Sequence, residues 1–277
     1  SNDLNRLAPM GTSCPDHFLR TKIKPLILAL DPEDDLMDAS AVLEKITPSF
    51  EQYRKDYQEY YDSCKRSDSP AIRDANPVVI LYPGVGMFTF AKNKQTARVA
   101  SEFYINAVNV MRGAEAISKY TSLPRQEAFD IEYWLLEEAK LQRQPKEKPL
   151  SRKVALITGS GGGIGRAIAD KLISEGATVV YTDISEDYLK EATAQYIPDQ
   201  AIACQCDVTS AESLEAAVQK ASLQFGGLDI VVHSAGLAIS KPVEDTTETD
   251  WDLLQDVLVK GQFLLSRAAA NIMRKQN

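Results

Sequence analysis

The sequence predicts two successive α/β domains, the second built as a mostly parallel, doubly wound sheet. A length of 277 residues fits two domains at about 100–200 residues each. From Lys153 onward, short apolar runs of strand length alternate with helical patterns, the arrangement that parallel pairing requires. Between the halves, Gln144-Pro-Lys-Glu-Lys-Pro-Leu-Ser-Arg152 carries two prolines and four charges. Such a segment is a stiff, solvated connector and sets the boundary near residue 149, giving domains 1–148 and 149–277.

Composition narrows the function. Hydrophobic residues are 44% and charged residues 25% of the chain, and no run reaches the length of a membrane span. A net charge of -8 opposes nucleic-acid binding, which needs clustered Lys and Arg to hold a phosphate backbone. Cys14, Cys64, Cys204 and Cys206 read as free thiols, and the C-x-C pair is too close for ordinary disulfide geometry. With only His17 and His233, no multi-histidine metal site can be assembled, and no bound metal is expected.

In chain order, the opening segment is expected to be irregular. His17, Arg20, Lys22 and Lys24 form a polar cluster that can bind a phosphate or carboxylate or simply be a solvated edge; Pro25-Leu-Ile-Leu-Ala-Leu30 after it is a strand candidate. Phe50, Tyr53, Tyr57, Tyr60 and Tyr61 recur at helical spacing between Pro48 and Lys65, an amphipathic helix whose aromatic stripe is packing surface rather than a ligand site. Asn76-Pro-Val-Val-Ile-Leu-Tyr82 predicts a strand, and Pro83-Gly-Val-Gly-Met-Phe-Thr-Phe90 a glycine-bent turn into another. Asn93 can cap a long helix with an apolar stripe at Ala97, Ala100, Phe103, Ala107, Val110, Met111, Ala114 and Ile117. Pro124 opens one more helix through Trp134 to Lys140.

The strand, Gly-x-Gly-Met-Phe turn and Ala-rich helix over residues 77–142 resemble part of the class II aldolase family, whose motif places His-Gly-x-Phe before such a helix. That resemblance implies a zinc-ligating His where this chain has Val85, and an isopropyl group cannot coordinate a metal. An unrelated α/β domain is the competing reading.

In the second half, Val154 to Ile157 suits a strand buried on both faces, and Ile164, Ala167, Ile168 and Leu172 follow at i, i+3, i+4 and i+8. The glycines between them sit at a strand-to-helix junction. There the first N–H groups of the helix lack intrahelical partners and the dipole is positive, so a pyrophosphate can bind where no Cβ blocks it. Gly159, Gly163 and Gly165 meet that need, with Ser160, Gly161, Gly162 and Ile164 completing the turn. A merely flexible loop uses the same residues. Thr178-Val-Val-Tyr-Thr-Asp183 is a second strand ending in an acid 18 positions after Gly165. A carboxylate there grips ribose hydroxyls and repels a 2′-phosphate, and Ile184 and Ser185 bring no cation, so Asp183 favours NAD over a reading in which it simply ends a strand.

Thr158-Gly-Ser-Gly-Gly-Gly-Ile-Gly165 resembles the TGxxxGIG signature of the short-chain dehydrogenase/reductase family. Cys206-Asp207-Val208-Thr209 resembles its D-V-T segment, and Leu228-Asp-Ile-Val-Val-His-Ser-Ala-Gly236 its fourth strand and N-N-A-G turn. The resemblance covers 151–277 and implies a Rossmann-type sheet, with Asp207 and Val208 at the adenine and Ser234, Ala235 and Gly236 beside the cofactor. Two departures stand out. Ser234 replaces an Asn whose amide ties strands together in the family, and Leu258 stands where the family has a catalytic Asn holding a proton-relay water. The family's Ser and Y-x-x-x-K are expected beyond Asn277, 19 residues past Leu258, leaving the catalytic residues unknown and residues 1–277 inactive by themselves. Tyr61-Asp-Ser-Cys-Lys65 has the right spacing but precedes the glycine turn by about a hundred residues and is rejected.

An aldolase-like segment joined to such a dehydrogenase resembles bacterial bifunctional aldolase/short-chain dehydrogenases, associated with rhamnulose-1-phosphate cleavage and lactaldehyde oxidation. Gly11-Thr-Ser-Cys-Pro-Asp-His-Phe-Leu-Arg-Thr-Lys22 adds to it. It implies an NAD-dependent oxidoreductase of sugar catabolism, cytoplasmic and homo-oligomeric, acting on a hydroxyaldehyde or polyol, with the true aldolase domain upstream of Ser1. The competing expectation is a non-catalytic NAD-binding or scaffolding module, favoured by Val85, Ser234 and Leu258.

Overall fold

The computed structural model describes residues 2–12, 14–30 and 38–276. The chain divides into two compact α/β units, Ser1–Pro145 and Lys146–Asn277.

The first unit begins with α1 (Asn2–Leu7), where an irregular lead-in was expected, then α2 (Phe18–Thr21) and the short strand β1 (Leu26–Ile27). Helix α3 (Ala39–Cys64) is capped by Asp38, whose side chain accepts the Ser40 and Ala41 N–H groups. Pro48 was expected to mark its start but lies inside it, because the Asp38 cap fixes the helix nine residues earlier. Strands β2 (Val79–Tyr82) and β3 (Gly86–Thr89) form a hairpin closed by the Val85 N–H on the Tyr82 carbonyl, with Pro83 and Gly84 at its centre. Gly84 has φ +80°, the conformation a type II turn demands after its proline. The sheet runs β1-β2-β3, parallel then antiparallel.

Asn93 caps α4 (Lys94–Ile117) by accepting the Thr96 N–H. Its buried face is Ala100, Tyr104, Ala107 and Met111; Val110 and Ile117 of the expected stripe are exposed, Ile117 by 91%. The single helix expected after Pro124 is two, α5 (Arg125–Glu132) and α6 (Leu135–Gln142). Tyr133 breaks them apart by packing inward, its hydroxyl 2.8 Å from that of Tyr57 and its ring 5.2 Å from that of Tyr61.

Around that break lies a buried polar network. Glu132 is 1% exposed, and its Oε1 accepts the Tyr57 hydroxyl at 2.6 Å. With that proton spent, Tyr57 Oη accepts from the Tyr133 hydroxyl at 2.8 Å, which in turn accepts the Arg73 N–H at 3.2 Å. Lys22 Nζ lies 3.9 Å over the Tyr57 ring and donates to the Asp74 carbonyl. The His17 to Lys24 cluster is therefore not one surface. His17 is buried against Phe103 and Thr12, Lys22 is buried, and Lys24 pairs with Asp56 at 2.7 Å. Tyr61 donates to the Pro70 carbonyl and Lys65 pairs with Asp62, partners that leave no catalytic dyad.

The second unit is a four-stranded parallel sheet in the order β6-β5-β4-β7, formed by β4 (Val154–Thr158), β5 (Thr178–Asp183), β6 (Ala201–Gln205) and β7 (Ile230–His233). Helices α7 (Gly163–Ser174) and α8 (Glu186–Thr193) belong with one core, around Ala155, Ile157, Val179 and Tyr181. Helices α9 (Ala211–Phe225), α10 (Glu248–Gln255) and α11 (Gly261–Met273) follow, with α9 and α11 in the other core, around Leu156, Val180, Leu214 and Leu265. Alternate residues of β4 and β5 thus serve opposite faces, as strands covered on both sides must. On α7 the buried residues are Gly165 and Ala169; Ile164 and Ala167 of the expected stripe are exposed.

The Glu132 network carries a pH prediction. Burial pushes the Glu132 carboxyl above its ordinary value of 4.5, against the opposing effects of the Tyr57 hydrogen bond and Lys22. The folded state therefore keeps a proton that the unfolded chain releases, so this contribution to stability is full below about pH 4.5 and is lost as pH rises through the raised value. Urea denaturation of the wild type and Glu132→Gln from pH 4 to 8 is expected to show the wild type losing stability relative to Gln as pH rises. Glu132→Ala, which strands the Tyr57 hydroxyl, costs about 1–3 kcal/mol at pH 4, and that cost shrinks as pH rises and the wild type loses its own contribution. A flat difference curve would remove the protonation argument.

Candidate functional site

Strand order reverses between β4 and β7: β5 and β6 extend the sheet on one side of β4, and β7 lies on the other. In open parallel sheets a crevice forms at the carboxyl ends of the strands at such a point.

Two turns converge there. Thr158 ends β4, and Gly159 follows with φ +65°; a Cβ on it would lie 2.7 Å from the Ala235 backbone in the turn after β7. A Cβ on Gly165 would lie 2.3 Å from the Gly159 carbonyl oxygen, so the first turn of α7 packs directly on the glycine loop. Gly161 has no room either, with Tyr188 Cβ at 2.7 Å and Asp183 Oδ2 at 3.0 Å from such an atom. Gly163 differs, since a Cβ there meets nothing within 4 Å and points into open space. Gly162 caps α7 without a side chain, so no side-chain acceptor covers the first-turn N–H groups. The result is a positively polarised helix end with an unobstructed approach, which suits a phosphate.

Asp183 ends β5 beside this turn. Its Oδ2 accepts the Gly161 N–H at 3.1 Å and its Oδ1 the Ser185 N–H at 3.0 Å. These bonds fix the carboxylate's orientation and leave each oxygen with accepting capacity for a hydroxyl. Ile184 is exposed next to it. Asp207 Oδ1 is taken up by the Thr209 N–H and hydroxyl, at 2.9 and 2.8 Å, which shapes the turn after β6, and Val208 is buried against the Gly261 position. Ser160 is fully buried; its hydroxyl accepts the Thr182 N–H at 2.8 Å, so its side chain clamps the turn to β5 and does not face the crevice.

Two contributions were not legible beforehand. His233 Nε2 faces the Val257 carbonyl at 3.2 Å and must carry the proton that bonds it; Nδ1 is then an acceptor for the Thr158 hydroxyl, also at 3.2 Å. Thr158 Oγ1 in turn accepts the Ser234 and Ala235 N–H groups at 3.1 and 3.2 Å. Burial lowers the His233 pKa from 6.5, keeping the imidazole neutral in this role. One hydroxyl thereby ties β4 to the turn after β7, the task expected of an amide at position 234. The only signal for it was a Thr directly before the first glycine.

Leu258 sits in a five-residue π-turn, Asp256–Lys260, between α10 and α11. It is 40% exposed, and its Cδ2 would lie 3.2 Å from a Cβ on Gly236. An apolar group thus borders the crevice where a water-holding amide was looked for. In the first unit, Val85 is 63% exposed at the β2–β3 turn, and among the described residues no three His, Cys, Asp or Glu side chains gather as metal ligands do. Among the described residues no helix is long and apolar enough to cross a membrane.

Comparison with known proteins agrees with this division. Residues 1–141 match the family model "Aldolase class II, second domain", and residues 153–277 match "short chain dehydrogenase". The chain is 37% identical over 275 residues to a Bacillus subtilis protein called "Uncharacterized oxidoreductase YuxG", covering 98% of this chain and 40% of that one. It is 37% identical over 122 residues to an "NAD-dependent glycerol dehydrogenase" of Listeria innocua, covering 44% of this chain and 48% of that one. A Brucella melitensis short-chain dehydrogenase/reductase structure aligns with a TM-score of 0.44 at 31% identity, over 46% of this chain and 54% of that one. The chain thus spans about half the length, or less, of these relatives. Through residues 1–141 the chain belongs to the class II aldolase family as its second domain, and that domain is followed by a short chain dehydrogenase domain over residues 153–277.

Proposed function

We propose that residues 149–277 form the cofactor-binding half of an NAD-dependent oxidoreductase acting on a small hydroxyaldehyde or polyol, and that residues 1–148 are an aldolase relative without zinc ligands. The observation that carries the first part is the open approach at Gly163, beside an uncapped helix end and an oriented Asp183 carboxylate. Gly159, Gly161, Gly162, Gly163, Ile164 and Gly165 would line the pyrophosphate, Asp183 and Ile184 the adenosine ribose, Asp207 and Val208 the adenine, and Ser234, Ala235 and Gly236 the remaining wall. Bound there, the nicotinamide supplies hydride transfer; the chain's own part is to hold and orient it and to reject a 2′-phosphate. A relative called an NAD-dependent glycerol dehydrogenase supports a polyol-type substrate. The rhamnose-type setting, a homo-oligomeric assembly and a cytoplasmic location are further parts of this proposal.

Leu258 favours a second reading, a module that binds NAD without turnover, because an isobutyl group can neither donate to nor accept from a relay water.

A titration with NAD and NADP tests the cofactor assignment. NAD is expected to bind about tenfold or more tightly, since a carboxylate facing a phosphate at a protein surface is worth one to a few kcal/mol. Asp183→Ala erodes that preference. Gly163→Ala leaves thermal stability unchanged yet weakens NAD by about tenfold or more, whereas Gly165→Ala, driving a Cβ onto the Gly159 carbonyl, also costs about 1–3 kcal/mol of stability. Equal affinity for both cofactors, or a Gly163→Ala variant that binds normally, would sink the assignment.

Steady-state NAD reduction with hydroxyaldehydes and polyols separates the two readings. If a Tyr-x-x-x-Lys pair is needed beside the nicotinamide, residues 1–277, whose Tyr61 and Lys65 are held by other partners, are expected to bind NAD without turnover, while a polypeptide of the relatives' length turns over. Binding without turnover in both would favour the second reading. For the first unit, elemental analysis is expected to find no stoichiometric zinc, and ketose phosphates to remain uncleaved; one tightly held zinc per chain contradicts this.

A further inference from the structure

We propose that His233 is a positioning residue that makes the turn of residues 234–236, one wall of the crevice, sensitive to acid: the neutral ring braces the turn and the protonated ring releases it. The consequence for cofactor binding rests on the proposed NAD site; the bracing itself does not.

Protons and lone pairs in this cluster are fully used. Thr158 Oγ1 accepts the Ser234 and Ala235 N–H groups at 3.1 and 3.2 Å, which fills both of its lone pairs. Its one proton is then left for His233 Nδ1, 3.2 Å away. The other ring nitrogen, Nε2, faces the Val257 carbonyl at 3.2 Å and must be the protonated one. Only the neutral ring with its proton on Nε2 satisfies all of these contacts. Adding a proton to Nδ1 sets the imidazolium N–H against the Thr158 hydroxyl proton, and Oγ1 has no free lone pair to receive it. Thr158 must then give up the Ser234 or Ala235 N–H, or the ring must leave Thr158. The Val257 carbonyl bonds a charged donor more strongly, so the ring stays with the π-turn and the loss falls on the turn after β7.

The carboxylates on the elements packed against the ring are engaged elsewhere. Asp256 in the π-turn pairs with Lys260 at 3.1 Å, and Asp207 after β6 is turned to the Thr209 N–H and hydroxyl. β4 presents Thr158, and α11 presents Gly261, where a Cβ would lie 3.3 Å from His233 Cε1. Burial accordingly lowers the His233 pKa from 6.5, opposed by the Val257 carbonyl. The unfolded chain takes up the proton at higher pH than the folded one, so the brace is whole above about pH 6.5 and is lost as pH falls through the lowered value. Gly159 transmits the change, because a Cβ on it would lie 2.7 Å from the Ala235 backbone. Loosening residues 234–236 therefore loosens the glycine turn that would hold a pyrophosphate.

Imidazole and amide NMR of the full chain from about pH 7.5 to 5 tests this, and with His17 and His233 as its two histidines, His233→Gln assigns the signals by difference. His233 is expected to carry its proton on Nε2 at the upper end and to titrate below 6.5. Protection of the Ser234 and Ala235 amides against exchange is expected to fall about fivefold or more with the same midpoint. His233→Gln, which offers a donor and an acceptor that do not titrate, is expected to keep that protection level, and His233→Ala to show the low value throughout. NAD affinity over the same range is expected to weaken about fivefold or more in the wild type and to stay level in His233→Gln. A neutral ring with its proton on Nδ1, or amide protection indifferent to the His233 titration, overturns the proposal. So does NAD affinity that stays level in the wild type while the amides lose protection. Absence of NAD binding at every pH, with the amide result intact, supports the brace and overturns the cofactor reading instead.

Discussion

The contact between the turns after β4 and β7 is the constraint on which the second unit depends. Gly159 approaches the Ala235 backbone so closely that no side chain fits, and the Thr158 hydroxyl holds three groups of the β7 end at once. Fixing these two strand ends side by side places the reversal of strand order directly beneath the start of α7. Gly165 then lets α7 settle on the loop, so that its uncapped N–H groups face outward at the crevice. Remove the close approach and the helix end, the Asp183 orientation and the crevice lose their common reference.

The fold class was legible because it rests on local chemistry. Glycines cluster where a backbone must approach another backbone, and β5 was read from Thr178 to Asp183 because five apolar or β-branched residues ending in an acid have few alternatives to a buried strand. Helix faces were less legible. The stripe read on α4 followed Phe103, Val110 and Ile117, whereas the face its neighbours bury is Ala100, Tyr104, Ala107 and Met111, rotated from that stripe. On α7, Ile164 is exposed because the buried face must carry Gly165, the only residue small enough for the contact with the loop. The break at Tyr133 was hidden for a related reason: no proline or glycine marks it, and the residue turns inward to partners from a distant helix, its hydroxyl on Tyr57 at 2.8 Å and its ring on Tyr61 at 5.2 Å.

The polar features of the candidate site divide along the same line. Asp183 was found by spacing from the glycines, a distance set by the fold itself. The Thr158–His233–Val257 chain was not, because it joins residues 75 and 24 positions apart through a hydroxyl and a ring whose roles follow only from what each faces. It also shows why Ser234 is tolerated. The cross-strand tie runs through the Ser234 N–H, which every residue but proline supplies, so the amide side chain expected there is dispensable for holding the turn. Leu258 has no such substitute, since its position borders the crevice rather than the sheet.

The first unit solves a different problem with similar means. Val85 is exposed at the hairpin turn, and the unit's buried contacts lie elsewhere. Tyr57, Tyr60, Phe129 and Tyr133 form a contiguous aromatic cluster, and Glu132 sits at its edge as the acceptor that lets Tyr57 and Tyr133 bury their hydroxyls. A carboxylate in that place is penalised by desolvation, which outweighs the opposing attraction of Lys22, itself pushed down to about 8 by burial. A protonated carboxyl avoids most of the penalty and still accepts through its carbonyl oxygen. The network is therefore held chiefly by the chain of hydrogen bonds from the Arg73 N–H through Tyr133 and Tyr57 to Glu132, with burial working against charge on both Glu132 and Lys22.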